Sequence, residues 1–464
     1  MRPALGFRRC PWRLKSTIAS RYPLAVSVAH RSSAACCLRF DRRFVSGGGH
    51  GRVEAHLKGE ETAAGAEVRR RLKEGHPWVF AEEVANMTEL NQFDAGTIVH
   101  LRCSDGEQLG QGLLNRQASV VLRMITGEEE ETAVDESLFA KRLQEALAFR
   151  SRHFRRCTSF RVCNGEADGL PGLVVDRLGE TVLIRYESLA IQTFSDLIER
   201  QVDALLRPRA VVVQRMRAKK EKMAQRGAEF LTFMGKGQAA DAQVTEGPAV
   251  LGVHLLAGID SGYSFENRPA RDFLVGLCKG STVLDVNCGS GAFAVRALLG
   301  GASEAVCVES SLALVSLAES NAKANNQADR MTVIHRSDVV EEMENMKMSQ
   351  LQFGVVVLSL RPEIVYEYKQ KHGQHGRWHK PSLKGIEKPI EAASALVQPG
   401  GVLCLNMQID TQRAHQLRFL MNTGIERSNR TGTFLWEGGG GWDCRRLASQ
   451  RDLWHKRSLI VRVN

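Results

Sequence analysis

The sequence predicts an α/β protein of several domains, and three observations predict it. Thr282 to Val286 is a buried-type strand that turns through Asn287-Cys288-Gly289-Ser290-Gly291; a helix follows from Ala292 to about Leu299, and a second strand, Ala305 to Val308, ends on Glu309. Strand, glycine turn, helix and strand with a terminal acid is the opening βαβ of a nucleotide-binding sheet. Far upstream, Thr97 to Ile125 reads as alternating β-type segments broken by turn residues, the pattern of a small β unit. A chain of 464 residues also has room for roughly two to four domains.

The N-terminal end is set apart by charge. Residues 1–46 carry nine Arg and one Lys against the single acid Asp41, so they supply +9 of the net +11. An Arg- and Ser-rich, acid-poor leader of this kind predicts a mitochondrial transit peptide, with processing expected near Arg42-Arg43-Phe44 and localisation in the matrix. The alternative is a nucleic-acid-binding arm. The rest of the chain is close to neutral, which removes a uniformly basic surface as an argument for nucleic acid. Eleven cysteines form no C-x-x-C pair, so neither a zinc ribbon nor a disulfide framework is indicated. No apolar run approaches the roughly twenty residues of a membrane-spanning helix.

Residues 53–130 form the first predicted domain. Ala66 to Val84 begins with a basic helical turn and passes into His76-Pro77-Trp78-Val79-Phe80; strands follow at Thr97–Cys103, Gln108–Leu114 and Ser119–Ile125. Residues 131–248 form a central α+β domain. It has a helix from Glu136 to Phe154, strands at Ser159–Val162, Leu173–Asp176 and Ala210–Gln214, and a helix from Ile191 to Leu206. Between them lies Asn164-Gly165-Glu166-Ala167-Asp168-Gly169-Leu170-Pro171-Gly172-Leu173, continuing to Asp176-Arg177, whose glycines and proline shape a turn and do no chemistry. The β-branched and aromatic residues of Ile425 to Trp436 and of Ser458 to Val463 predict the closing strands of the last domain, 249–464.

These motifs resemble one family along nearly the whole chain after the leader. The Asp285-x-x-x-Gly289-x-Gly291 turn is similar to that of class I S-adenosylmethionine (SAM) methyltransferases, and it lacks the third glycine of a dinucleotide site. The G-H-P-W-V-F run and the E-x-D-G-L-P-G-L-x-x-D-R stretch resemble the bacterial large-subunit rRNA (cytosine-5) methyltransferase I family. The resemblance implies a small PUA-like RNA-binding barrel, a central α+β domain and a Rossmann-like SAM methyltransferase domain. It implies SAM as cofactor, with Phe265, Asn267 and Arg268 lining the pocket together with Asp285, Asn287, Gly289 and Gly291. Glu309 is placed to accept from ribose hydroxyls, and Asp338 follows a third strand, Met331 to His335.

The chain departs from the family where the chemistry should be. After strand Phe353–Leu358 the family has D-P-P; here Ser359-Leu360-Arg361-Pro362 stands in its place. After strand Gly401–Leu405 the family places a cysteine that attacks the cytosine ring; here that position is Gln408, which cannot make the bond. No catalytic residue is therefore assigned. Basic clusters at Arg215, Arg217, Lys219, Lys220 and Lys222, and at Arg377, Trp378 and Lys380, are candidate RNA contacts. His372, His375 and His379 lack an acidic or thiol partner and are not assigned to a metal. Two functions follow as expectations. One is a catalytically degenerate RNA-binding factor of the mitochondrial ribosome or its assembly intermediates. The other is an active rRNA methyltransferase that does without the cysteine.

Overall fold

Alternating apolar residues need two faces to bury, and the first domain supplies them with a five-stranded sheet. In a computed structural model the described residues are 52–118, 120–127, 133–155, 157–216, 230–237, 241–255, 263–360, 386–410, 414–428, 430–438 and 454–464. The leader, most of the 215–222 cluster and the 369–380 loop lie outside them. The first unit runs β1 (Glu54–His56), α1 (Ala63–Lys73), β2 (Trp78–Phe80), α2 (Met87–Leu90), β3 (Ile98–Arg102), β4 (Gln108–Leu114) and β5 (Val120–Met124), with sheet order β1-β3-β4-β5-β2. Val79, Val99, Leu101, Leu114 and Val121 form its buried core. Thr62 caps α1 by accepting from the Gly65 amide at 3.1 Å. The basic face of α1 is neutralised: Arg69 pairs with Glu60, Asp105 and Glu107, Arg70 with Glu67 and Glu74, Arg71 with Glu83, and Lys73 with Glu107.

The central unit is α3 (Glu136–His153), β6 (Ser159–Asn164), β7 (Leu173–Leu178), β8 (Thr181–Tyr186), α4 (Leu189–Gln192), α5 (Ser195–Leu206), β9 (Ala210–Met216) and β10 (Phe230–Lys236), in sheet order β10-β9-β8-β7-β6. The long signature stretch acts here as a set of anchors. Gly169 ends a short 3-10 turn in the left-handed region at φ 69°, where a side chain would be strained. Asp168 is paired with the fully buried Arg150 and also accepts from the Asn164 amide at 2.7 Å. Glu166 accepts from the indole of Trp78 at 2.8 Å and from Arg123, which joins the first unit to the second. Burial opposes the charge on Glu166, but Arg123 and Trp78 outweigh it and hold the carboxyl below its ordinary range. Trp78→Phe removes one of these donors and is expected to cost about 1–3 kcal/mol, read from urea unfolding by circular dichroism.

The third unit opens with the hairpin β11 (Asp241–Glu246) and β12 (Ala249–His254) and continues through α6 (Arg268–Val275). Its sheet alternates β13 (Thr282–Val286), α7 (Ala292–Leu299), β14 (Glu304–Glu309), α8 (Leu312–Ala324), β15 (Met331–His335), α9 (Val339–Met348), β16 (Phe353–Leu360) and α10 (Glu387–Ala395). It closes with β17 (Val397–Asp410), α11 (Ala414–Arg427), β18 (Gly432–Gly438) and β19 (Trp454–Val463). The order is β15-β14-β13-β16-β17-β19-β18, parallel up to β17 and antiparallel on both sides of β19. One correction concerns Ile425. It lies in α11, buried at 1% exposure, so the strand expected from residue 425 begins at Gly432. Packing against the core overrides the β preference of a branched side chain. Among the described residues no helix is long and apolar enough to cross a membrane.

Candidate cofactor site at the glycine turn

Strand order reverses between β14 and β16, on either side of β13, so a crevice is expected beyond the carboxyl ends of these strands. The turn after β13 sits there. Asn287, Gly289 and Gly291 all have positive φ, at 56°, 59° and 72°. At Gly291 a Cβ would come within 2.7 Å of the Met331 methyl and 3.2 Å of Ala318, so glycine is needed both for the dihedral and for the approach of α8 and β15. The Asn287 amide donates to the Ser359 carbonyl of β16 at 2.8 Å, and its backbone N–H to Val308 at 2.8 Å.

Glu309 is fully buried and turned onto the glycine turn. One carboxylate oxygen accepts from the Gly289 amide at 2.9 Å; the other accepts from the Ser310 and Ser311 amides at 2.8 and 3.0 Å. The acid expected at the ribose therefore also fixes the turn from below. Asp338 lies past β15, exposed, and caps α9 by accepting from Val340 and Glu341. Phe265 packs edge-on against Tyr263, with only 2% exposure. The Arg268 guanidinium stacks on Phe154 and Phe265 and donates to the Ser159 carbonyl of the central unit at 2.9 Å. Beside it Glu266 accepts from Arg161 at 2.5 Å, while Arg161 also holds Asp176. The segment expected at the pocket is thus braced on the central unit.

Asp285 is the distinctive polar group. It is fully buried, and neither oxygen closes a full hydrogen bond, although the Ala294 amide lies close enough to favour its charge. Burial pushes its carboxyl up to about 7, with the Glu309 charge adding to the shift and the Ala294 amide and Arg271 opposing it. The Ser290 hydroxyl and the Asn267 carbonyl oxygen are also buried without a hydrogen-bond partner. An orphaned carboxylate, an orphaned hydroxyl, an amide oxygen and a turn of left-handed residues fit a polar ligand that carries a cationic ammonium and hydroxyl groups. SAM has that chemistry.

The ends of β16 and β17 carry Ser359 and Gln408 where the resemblance implies an acid and a thiol. The Ser359 hydroxyl accepts from the Asn406 amide at 3.4 Å, and no acid stands at that position. Gln408 lies on β17 opposite Lys456 of β19. Cys404 is buried at 0% exposure, contacts the Asn406 side chain at 3.7 Å, and burial holds its thiol far above its ordinary value. It is thus inert and behind the edge. Cys288 is 7% exposed within the turn itself.

The comparisons identify the architecture. Residues 66–127 match the PUA-like domain family, and residues 275–369 match the family described as ribosomal protein L11 methyltransferase. A solved chain described as a SAM-dependent methyltransferase from Streptococcus mutans superposes with TM-score 0.70 at 16% identity, covering 88% of this chain and all of that one. Another, a methyltransferase complexed with SAH, gives 0.69 at 15% identity, covering 89% and 100%. The chain carries a PUA-like domain ahead of a class I SAM methyltransferase fold. Its relatives include proteins named ribosomal RNA large subunit methyltransferase I. That of Shewanella denitrificans is 26% identical over 336 residues, and that of Aeromonas hydrophila 28% over 340; each match covers 72% of this chain and 82% of the relative.

Within this PUA-plus-methyltransferase architecture, the expected RNA contacts fare unevenly. Arg215 is paired with Glu199 at 2.6 Å and is about one-quarter exposed, so its charge is taken up inside the central unit. Arg217, Lys219, Lys220, Lys222, Arg377, Trp378 and Lys380 lie outside the described residues, as do the three loop histidines. Sequence reasoning missed Asn321, whose side chain reaches the Ser290 carbonyl at 2.8 Å. Its repeat at Asn325 was the available clue.

Proposed function

We propose that this protein is an RNA-binding member of the SAM-methyltransferase type that acts with ribosomal RNA in mitochondria, as an assembly or structural factor without covalent methyl-transfer chemistry. The observation that carries it is the pairing of Ser359 with Asn406 at the end of β16, where the resembled family has an acid, together with Gln408 in the position of the attacking thiol. Removing a covalent nucleophile costs orders of magnitude in rate. The PUA-like domain and relatives named for ribosomal RNA support the substrate class, and the Arg-rich leader supports the compartment.

SAM is the proposed cofactor; when bound it supplies an electrophilic methyl group. Asp285, Ser290, Asn267, Asn287, Gly289 and Gly291 would hold it, and in a non-catalytic protein it would stabilise the fold by linkage. A second possibility is favoured by the retained turn and the orphaned Asp285: methyl transfer to a ring nitrogen or ribose oxygen, which needs no cysteine. Calorimetry of SAM with the chain lacking its leader tests both, with Gly289→Trp as the blocked control. Micromolar binding lost in the control supports the pocket, and a methyl-transfer assay on mitochondrial rRNA then separates the two. A chain that fails to bind SAM leaves only the RNA-binding scaffold.

A further inference from the structure

Among the described residues strand β12 pairs only with β11, so its second edge presents backbone groups that need partners. Asn321 on α8 and Asn325, which caps its C-terminus, supply them. Asn325 accepts from the Val250 N–H at 2.9 Å and donates to the Val250 carbonyl at 2.7 Å. Asn321 accepts from the Gly252 N–H at 2.6 Å and donates to the Gly252 carbonyl at 3.1 Å. Each carboxamide stands in for a peptide unit of a neighbouring strand. The spacing fits: four helical residues rise about 6 Å, and two strand residues about 6.7 Å. Gly252 leaves the room, since a Cβ there would lie 3.1 Å from the Asn321 side-chain oxygen.

The two asparagines differ in one bond. The Asn321 amide also donates to the Ser290 carbonyl at 2.8 Å, in the glycine turn, while Asn325 turns its second donor back onto the Asn321 carbonyl at 2.8 Å. Asn321 is 2% exposed, so bulk water does not reach these bonds. We propose that Asn321 is a positioning residue that ties the glycine turn to the β11–β12 hairpin and so sets the shape of the cofactor cradle. Its effect on cofactor affinity rests on the SAM-binding function proposed above; its effect on the turn does not.

The paired variants Asn321→Ala and Asn325→Ala in the full chain separate this from a general packing role. Both are expected to lower the melting temperature, since each strips the N–H and the carbonyl of one β12 residue of their partner. Only Asn321→Ala is expected to speed hydrogen exchange across residues 287–292, by about tenfold, and to weaken SAM binding by about the same factor. Equal exchange of the turn in the two variants would overturn the proposal. So would an unchanged SAM affinity in Asn321→Ala when the unmodified chain binds SAM. If the unmodified chain does not bind SAM but the exchange contrast is seen, the positioning role stands and the cofactor assignment falls. Should Asn321→Ala fail to fold, Gly252→Ala presses on the same amide from the hairpin side. Faster exchange at the turn in that variant supports the tie, and unchanged exchange refutes it.

Discussion

Replacing Glu246 with alanine is expected to lower the unfolding free energy by about 3–5 kcal/mol, the cost of stranding buried cations. Glu246 is 4% exposed at the end of β11 and accepts from Nε and Nη2 of Arg271, at 2.8 and 2.7 Å, and from the Tyr263 hydroxyl at 2.5 Å. Arg296 approaches it at 3.4 Å. Arg271, at 2% exposure, would lose the carboxylate it was buried with. Burial opposes the charge on Glu246, but Arg271 and Tyr263 outweigh it and hold the carboxyl below its ordinary 4.5. The stabilisation is therefore present above the unfolded value and lost as pH falls through the lower folded one. Urea unfolding at pH 7 checks the prediction; a loss below about 1 kcal/mol would mean that the arginines find water.

Asp285→Asn has the opposite sign. The folded carboxyl sits near 7 against an ordinary 3.8, so the folded state takes up a proton as pH falls. The stability it contributes is complete below about 4, declines as pH rises through 7, and is flat above. The groups that act on it are Glu309, Arg271 and the Ala294 amide. The neutral asparagine removes this slope and is expected to stabilise the chain at pH 8 by on the order of 2–4 kcal/mol. If the carboxylate faces the ammonium of SAM, the same change weakens SAM binding. A protein made firmer and less able to bind is the mark of a functional acid kept at a cost to the fold. A pH–stability profile identical to that of the unmodified chain would refute this account of Asp285.

How much of this was legible follows the range of the contacts. Strand β13, its glycine turn and α7 could be read almost residue for residue, because a buried strand, glycines with positive φ and a helical run are local facts of sequence. The same holds for β4 and β15. The ion pair of Arg215 was not legible because Glu199 sits on a helix sixteen residues earlier, and a basic run does not disclose its counter-ion. The hold of Glu309 on the Gly289 amide depends on how the turn folds back over it. Asn321 was missed for the same reason at greater distance: the Gly252 groups it holds lie 69 residues away. Ser359 and Gln408 could be read at once, since which residue stands at a strand end is a matter of sequence alone.

The anchors described for the central unit also make it a spacer. Trp78 is fixed to Glu166, Arg161 bridges Asp176 to Glu266, and Arg268 is bonded to Ser159. The first and third units are therefore spaced by a row of buried ionic and polar contacts rather than by slack chain. In the proposed function, an RNA gripped by the PUA-like unit would meet the crevice of the sheet at a set reach, as a workpiece meets a jig. That reach depends on dimensions alone, so the chain would gauge an RNA whether or not it modifies it.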